Sequence, residues 1–375
     1  MRVAIDAREL VGRPTGVGRY LAELLRAWGD LAGAHAHEFI LCAPDRVPLP
    51  APRERLAGFR VEALSAPGSG TMWEQFALPR LVARAHADVL FAPGYTGPVL
   101  GALAHPFGGA DVPMVVAIHD VSFAAHPEWF SWREGRRRRF VTRLAARKAA
   151  RVITISDFSK QEIVRHLGVS QARVEVTYLG STRMTPPGPS RSGGDPTVLF
   201  VGSLFNRRHI PELLAGFERL AAKQPAVRLV LVGDNRTRPH IDVDQLIARS
   251  PARDRIRARA YVEDAELASL YQQASAFVFL SEYEGFAMTP LEALGAGVPV
   301  VLLDTDVARE IYGPAATYVE RPDPALIADG LERTLFDDEE RTRTRAAAAT
   351  QLERYSWREC AQRTLQVLLA CARST

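Results

Sequence analysis

A single rhythm, run twice, most constrains what this chain can fold into. Short apolar or β-branched runs (VAID, FILCA, DVLFA, MVVAIHD, RVITIS and RVEVTY) alternate with helical patterns through the first half. Such runs are those of strands buried on both faces, and their alternation with helices predicts a parallel sheet with crossovers. Residues 181–196 crowd Pro, Gly and Ser together and keep neither periodicity, so they read as a linker. The rhythm then restarts with TVLFVG, RLVLVG, IRARAYV, AFVFLS and VPVVLLD. The expected fold is α/β, with two Rossmann-like, doubly wound parallel-sheet domains and an interdomain cleft. The first domain spans residues 1–180 and the second 197–355. Residues 356–375 are expected to form a C-terminal helix that packs back on the first domain.

At 375 residues the chain matches about two domains. Apolar residues make up 47% and charged residues 24%, the balance of an ordinary globular protein rather than a disordered or disulfide-scaffold chain. Cys42, Cys360 and Cys371 are odd in number and lack metal-ligand spacing, which points to a reducing cytoplasm. Arg2, Asp6, Arg8 and Glu9 exclude the apolar core of a signal peptide, and no uncharged run of about 18 apolar residues exists to cross a membrane.

Ligands of open parallel sheets bind beyond the carboxyl ends of the strands, so the chemistry is expected in the loops there. After AFVFLS, Ser281-Glu282-Tyr283-Glu284-Gly285-Phe286-Ala287-Met288-Thr289-Pro290-Leu291-Glu292 leads into a helix expected near Thr289 and Pro290. Its first amides suit a phosphate, Glu292 suits a ribose diol and Glu284 suits sugar hydroxyls. The same two glutamates also read as solvated or helix-capping carboxylates. After TVLFVG, Ser203 is followed by Arg207 and Arg208, paired cationic forks suited to a departing pyrophosphate. After the first strand, Gly16 and Gly18 precede a helix with apolar Leu21, Leu24, Leu25 and Trp28; they allow close approach to a diphosphate, without the full dinucleotide fingerprint. MVVAIHD ends on His119, able to donate to a sugar hydroxyl, and Asp120, able to orient it or contact acceptor; a structural His–Asp pair is the alternative.

These elements, in this order, resemble the retaining GT-B glycosyltransferases of family GT4 along nearly the whole chain. Glu284 and Glu292, eight apart, carry its most specific mark, joined by TGVGRY, WEQ at residues 73–75, IHD with PEWFS, ITISDFSKQEI, VGSLFNRR and LEALGAGVPVV. The resemblance implies transfer of a hexose-type sugar, mannose being one candidate, from a GDP- or UDP-sugar. The acceptor would be a glycan or lipid-linked saccharide in surface polysaccharide or glycolipid assembly, and no cofactor is required. It implies that Gly16, Gly18, Arg207 and Arg208 approach the diphosphate, that Ser203 lies beside it, and that Glu284 with the backbone of Gly285, Phe286 and Ala287 holds the sugar. Met288 and Thr289 amides would hold phosphate, Glu292 the ribose, backbone near Val262 the base, and His119 the transferred sugar, with Trp73 and Asp120 on the acceptor side.

Three positions depart from the family pattern. Arg208 stands for its usual lysine, Ala287 for a glycine where backbone meets sugar, and Thr289 for a frequent proline. Two other classes stay open: a nucleotide-sugar 2-epimerase-like isomerase and a noncatalytic nucleotide-sugar-binding subunit. Asp304-Thr305-Asp306 reads as helix capping, with Mg²⁺ binding as its alternative.

The net charge of +4 is unevenly spread. Residues 133–151 hold nine cations against Glu134 alone, leaving the remainder near −4. One basic patch suits a localised anionic partner better than general nucleic-acid binding. Phe140, Val141, Leu144 and Ala145 at helical spacing, with a stripe of Arg139, Arg143, Arg147 and Arg151, predict an amphipathic helix. It is either a solvated surface helix or, through Arg136, Arg137, Arg138 and Arg139, one that rests on anionic lipid at the inner face of the plasma membrane.

Overall fold

The computed structural model describes residues 1–12, 16–49, 58–65, 70–100, 111–181 and 194–372. Most of the linker expected at 181–196, and residues 13–15 before the first long helix, lie outside the described residues. By contacts the chain forms two compact units, Met1–Gly180 with Ser356–Thr375, and Ser181–Tyr355.

The first unit is built on seven parallel strands: β1 (Arg2–Asp6), β2 (Glu38–Ala43), β3 (Phe59–Ala63), β4 (Val89–Ala92), β5 (Met114–Ala117), β6 (Arg151–Thr154) and β7 (Val174–Val176), in the spatial order β3-β2-β1-β4-β5-β6-β7. The direction of winding reverses between β1 and β4, so the loops after β1, β4 and β5 gather at a switch point. β4 and β5 are buried at every position, as helix layers on both faces require. The helix Gly16–Gly29 buries Leu21, Leu24, Leu25 and Trp28, the apolar face its spacing predicts. The helix Trp357–Ala372 packs against it: the Trp28 indole donates to the Ala361 carbonyl at 2.8 Å, and Leu365 and Leu368 are buried.

The second unit holds six parallel strands: β8 (Thr197–Val201), β9 (Arg228–Val232), β10 (Ile256–Arg259), β11 (Ala276–Phe279), β12 (Val300–Leu303) and β13 (Ala316–Val319), in the order β10-β9-β8-β11-β12-β13. Its switch point lies between β8 and β11, which pair directly through Ala276 with Val198 and Phe277 with Leu199. Two strands, β3 and β13, go beyond those read from the sequence, and each forms an edge of its sheet. β3 is only partly buried and lacks the unbroken apolar run that marks the inner strands.

Among the described residues no helix is long and apolar enough to cross a membrane. The three cysteines are buried thiols, and burial pushes Cys360 up to about 12.

Candidate functional site

In the second unit, two loops leave neighbouring strands at the switch point and are tied together. After β8, a short turn (Asn206–Arg208) brings Arg208 back under the strand ends. Its Nη1 donates to the Ser203 carbonyl at 2.8 Å, while Nη2 and Nε donate to Glu284 Oε1 at 2.7 and 3.1 Å. Its guanidinium also lies over the Phe279 ring, 4.6 Å from the centroid. A lysine has one charged tip and cannot make this fork while stacking, so arginine at the lysine position gives the site a different internal scaffold. Burial lowers the Arg208 pKa, opposed by Glu284, and the group stays charged. A Cβ at Gly202 would sit 2.6 Å from Arg208 Nη1, which explains the glycine beneath it.

After β11, Glu284 also accepts from the Ser281 hydroxyl at 2.8 Å, and Arg207 Nη2 stands 3.9 Å from the same oxygen. Three donors on Oε1 fix the carboxylate and leave Oε2 as the acceptor for a hydroxyl. The Glu282 amide donates to the Arg207 carbonyl at 3.0 Å, and His209 Nε2 lies 2.7 Å from Glu282 Oε1, so the two loops are tied to each other directly. The helix begins at Met288, capped by Ala287 in the left-handed region at φ 64. The Met288 and Thr289 amides precede the first intrahelical hydrogen bond, and Pro290 in that turn forfeits none. Gly285 and Phe286 connect Glu284 to this cap. The Phe286 side chain is buried edge-on to Tyr355, so only its backbone is available to a ligand. Glu292 lies one turn in and accepts from the Tyr271 hydroxyl at 3.0 Å; Val262 is buried in the segment after β10.

In the first unit the sequence reading needs correction. His119 is buried, and its Nε2 contacts the Pro93 carbonyl at 2.8 Å, so Nε2 carries the proton. Burial lowers its pKa, which outweighs the bond to Pro93 and the nearby Asp120. A neutral ring so held offers Nδ1 as an acceptor, not the donor expected from sequence. Asp120 does not orient it. Its carboxylate takes the Tyr95 hydroxyl at 2.6 Å and the Ser122 amide at 2.8 Å, and Tyr20 and Tyr95 pack edge-on against the imidazole instead. Trp73 is withdrawn from the acceptor side: it is 2% exposed in the core and its indole donates to the Leu64 carbonyl at 2.7 Å. Gly16 and Gly18 are the first and third residues of their helix rather than a loop before it. A Cβ on Gly16 meets nothing within 4 Å, so the helix start is open there. Asp304 pairs with Arg309 at 2.7 Å through both oxygens, and Thr305 caps the next helix. Among the described residues no group of three or more His, Cys, Asp or Glu could hold a metal.

Four residues of this geometry carried no role in the sequence reading. His209 is the one with a local signal, as a titratable side chain beside Arg208. Tyr95 lies in the left-handed region at φ 67, Tyr271 reaches Glu292 from another helix, and the Tyr312 hydroxyl donates to the Ala287 carbonyl. Nothing local in sequence announces these long-range partners.

Two doubly wound parallel-sheet units of seven and six strands have the GT-B fold of solved glycosyltransferases. Residues 14–181 match the Glycosyltransferase Family 4 model and residues 186–351 the Glycosyl transferases group 1 model; the chain belongs to this family. It is 28% identical over 261 residues to O-antigen chain mannosyltransferase B of Escherichia coli, covering 67% of this chain and 68% of that one. It is 27% identical over 265 residues to the GDP-mannose:cellobiosyl-diphosphopolyprenol alpha-mannosyltransferase of Xanthomonas oryzae, covering 68% and 67%. With glycogen synthase of Mycobacterium tuberculosis it shares 29% identity over 272 residues, covering 70% of this chain and 64% of that one, just under two thirds of its length. Among solved structures, Anabaena HepE in complex with UDP and glucose superposes with a TM-score of 0.73 at 20% identity, covering 98% of each chain.

Proposed function

We propose that this enzyme is a retaining hexosyltransferase that moves a sugar from a GDP- or UDP-sugar to a hydroxyl of a glycan or lipid-linked saccharide. Its setting would be surface polysaccharide or glycolipid assembly at the cytoplasmic face of the membrane. The observation that carries the reading is the Arg208–Glu284–Ser281 cluster, set one loop away from the open amides of Met288 and Thr289. An anion at those amides is stabilised by the helix terminus. Arg207 and Arg208 add fixed positive charge where the diphosphate leaves, Glu284 Oε2 accepts from a sugar hydroxyl, and Glu292, steadied by Tyr271, accepts from the ribose. The backbone near Val262 contacts the base. In the first unit, the proposed substrate contacts are the Gly16 and Gly18 backbone and His119 Nδ1.

In the proposed step the bond from the anomeric carbon to the diphosphate oxygen breaks. The acceptor oxygen bonds to that carbon from the same face, and the acceptor proton passes to the departing diphosphate. Arginines and helix amides that bind growing phosphate charge accelerate this step because they are oriented beforehand. Mannosyltransferase relatives make GDP-mannose the first donor to test. A thermal-shift panel of GDP-, UDP-, ADP- and dTDP-sugars reads the donor directly, since a ligand bound only by the folded state raises Tm. A shift with a GDP- or UDP-hexose is expected; no shift with any of them overturns the reading.

A further inference from the structure

Glu74 and Gln75 of the WEQ motif are 3% and 6% exposed, a depth at which such side chains are held by hydrogen bonds. Residues 73–77 form a widened turn in which the Leu78 amide donates to the Trp73 carbonyl five residues back. So wide a turn rotates less per residue than an α-helix, and Trp73, Glu74 and Gln75 all face inward. Such turns gather at functional sites. Gln75 Oε1 accepts from the Val99 and Leu100 amides at 2.7 and 3.0 Å, and its Nε2 donates to the Gly97 carbonyl at 3.0 Å. Glu74 Oε2 accepts from the Thr96 hydroxyl at 3.1 Å. The same oxygen takes Arg8 Nη1 at 2.7 Å, and Arg8 Nη2 pairs with Asp6 at 3.0 Å, which anchors the turn to the end of β1. Both side chains therefore close on one target, the loop after β4.

That loop holds His119 in two ways. The Pro93 carbonyl meets its Nε2 at 2.8 Å, and the Tyr95 ring lies edge-on to the imidazole with 5.5 Å between centroids. Tyr95 does so at φ 67, a conformation that a bulky residue keeps only where its surroundings fix it. Its amide on the Ala117 carbonyl at 2.8 Å and its hydroxyl on Asp120 at 2.6 Å fix Tyr95 itself, while Glu74 and Gln75 fix the residues that follow. Burial lowers the His119 pKa, so the ring is neutral and the loop decides its tautomer rather than its charge. We infer that Glu74 and Gln75 are positioning residues, which clamp the loop after β4 so that Pro93 and Tyr95 hold His119 as the Nε2–H tautomer, leaving Nδ1 as the acceptor. The contact of Nδ1 with substrate rests on the transferase reading proposed above; the clamp and the tautomer do not.

The test is nitrogen NMR of the full chain, isotope-labelled at histidine and free of donor and acceptor, at neutral pH. The His119 ring signals are assigned by their loss in His119→Asn. Gln75→Leu removes all three of that side chain's bonds to the loop, whereas Gln75→Glu keeps the acceptor for Val99 and Leu100. Thr96→Val removes the bond to Glu74 at a half-buried position, where the fold is least at risk. The parent should show a protonated Nε2 and an unprotonated Nδ1. The ratio of Nε2–H to Nδ1–H tautomer should fall by roughly tenfold in Gln75→Leu and roughly threefold in Thr96→Val, and Gln75→Glu should recover most of the loss. A parent ring protonated on Nδ1, an unchanged ratio in either Gln75→Leu or Thr96→Val, or no recovery in Gln75→Glu overturns the inference. Should Gln75→Leu lose the dispersion of the other histidine signals, as an unfolded chain would, the ratio in Thr96→Val decides. The nucleotide-sugar thermal shift is measured on the same samples. An absent shift in the parent counts against the transferase reading alone, and an unmoved His119 ratio counts against the clamp alone.

Discussion

Ala287 holds a left-handed backbone at φ 64, where a Cβ crowds the neighbouring carbonyl at a cost of roughly 1–2 kcal/mol. Ala287→Gly should therefore raise unfolding stability by about 0.5–1 kcal/mol, after the entropy glycine adds to the unfolded chain, as read by denaturant melts. Arg208 has the larger role. Arg208→Ala should cut turnover by roughly 100-fold or more, and Arg208→Lys should recover only part, because charge returns without the fork on Glu284 and Ser203. Unchanged turnover in Arg208→Ala would remove it from the reaction. His209 adds a pH dependence. Burial opposes its protonation, but Glu212 and Glu282 outweigh burial and raise its pKa. A raised histidine contributes fully below its unfolded value of about 6.5 and loses that contribution as pH rises through the folded value. Unfolding stability should fall across that rise and lose this slope in His209→Gln, as read by denaturant melts over pH; an identical slope in both proteins would rule the Glu212 and Glu282 contacts out as its cause.

At the scale of elements, the inner strands were legible because burial on both faces leaves an unbroken apolar signature, whereas edge strands β3 and β13 have no such signature. The charged loops of the second unit were legible in position because charge at a strand end is unusual: Arg207 and Arg208 follow β8, and Glu284 and Glu292 follow β11. What escaped was pairing at long range. Nothing near Trp73 foretells that Leu64 takes its indole, and nothing near Asp120 foretells Tyr95. Helical spacing also misled at Phe140, because small residues rather than large ones face the core there. One glycine lets two elements of the second sheet approach closely. A Cβ on Gly233, at φ 152 after β9, would come 2.0 Å from the Gly202 carbonyl oxygen. Gly233→Ala should destabilise the second unit by about 2–3 kcal/mol and blunt the donor thermal shift. A variant as stable as the parent would mean that this backbone crossing gives way.

For the molecule as a whole, the units are unequal in how the chain builds them. The second is continuous, while the first needs residues from beyond it: Cys360, Ala361, Leu365, Leu368 and Cys371 are buried with Trp28 among their partners. Truncation after Tyr355 should leave the second unit resistant to protease while the first loses its resistance. Equal resistance in both would show that the helix Trp357–Ala372 is dispensable. The same arrangement sets an order of events on the ribosome. The unit whose first strand is made earliest has to wait, its Gly16–Gly29 helix lacking one packing partner, until the entire second unit has been synthesised. Translation that stops after Tyr355 delivers a polypeptide with every strand of the first sheet but without the helix that packs on its Gly16–Gly29 layer.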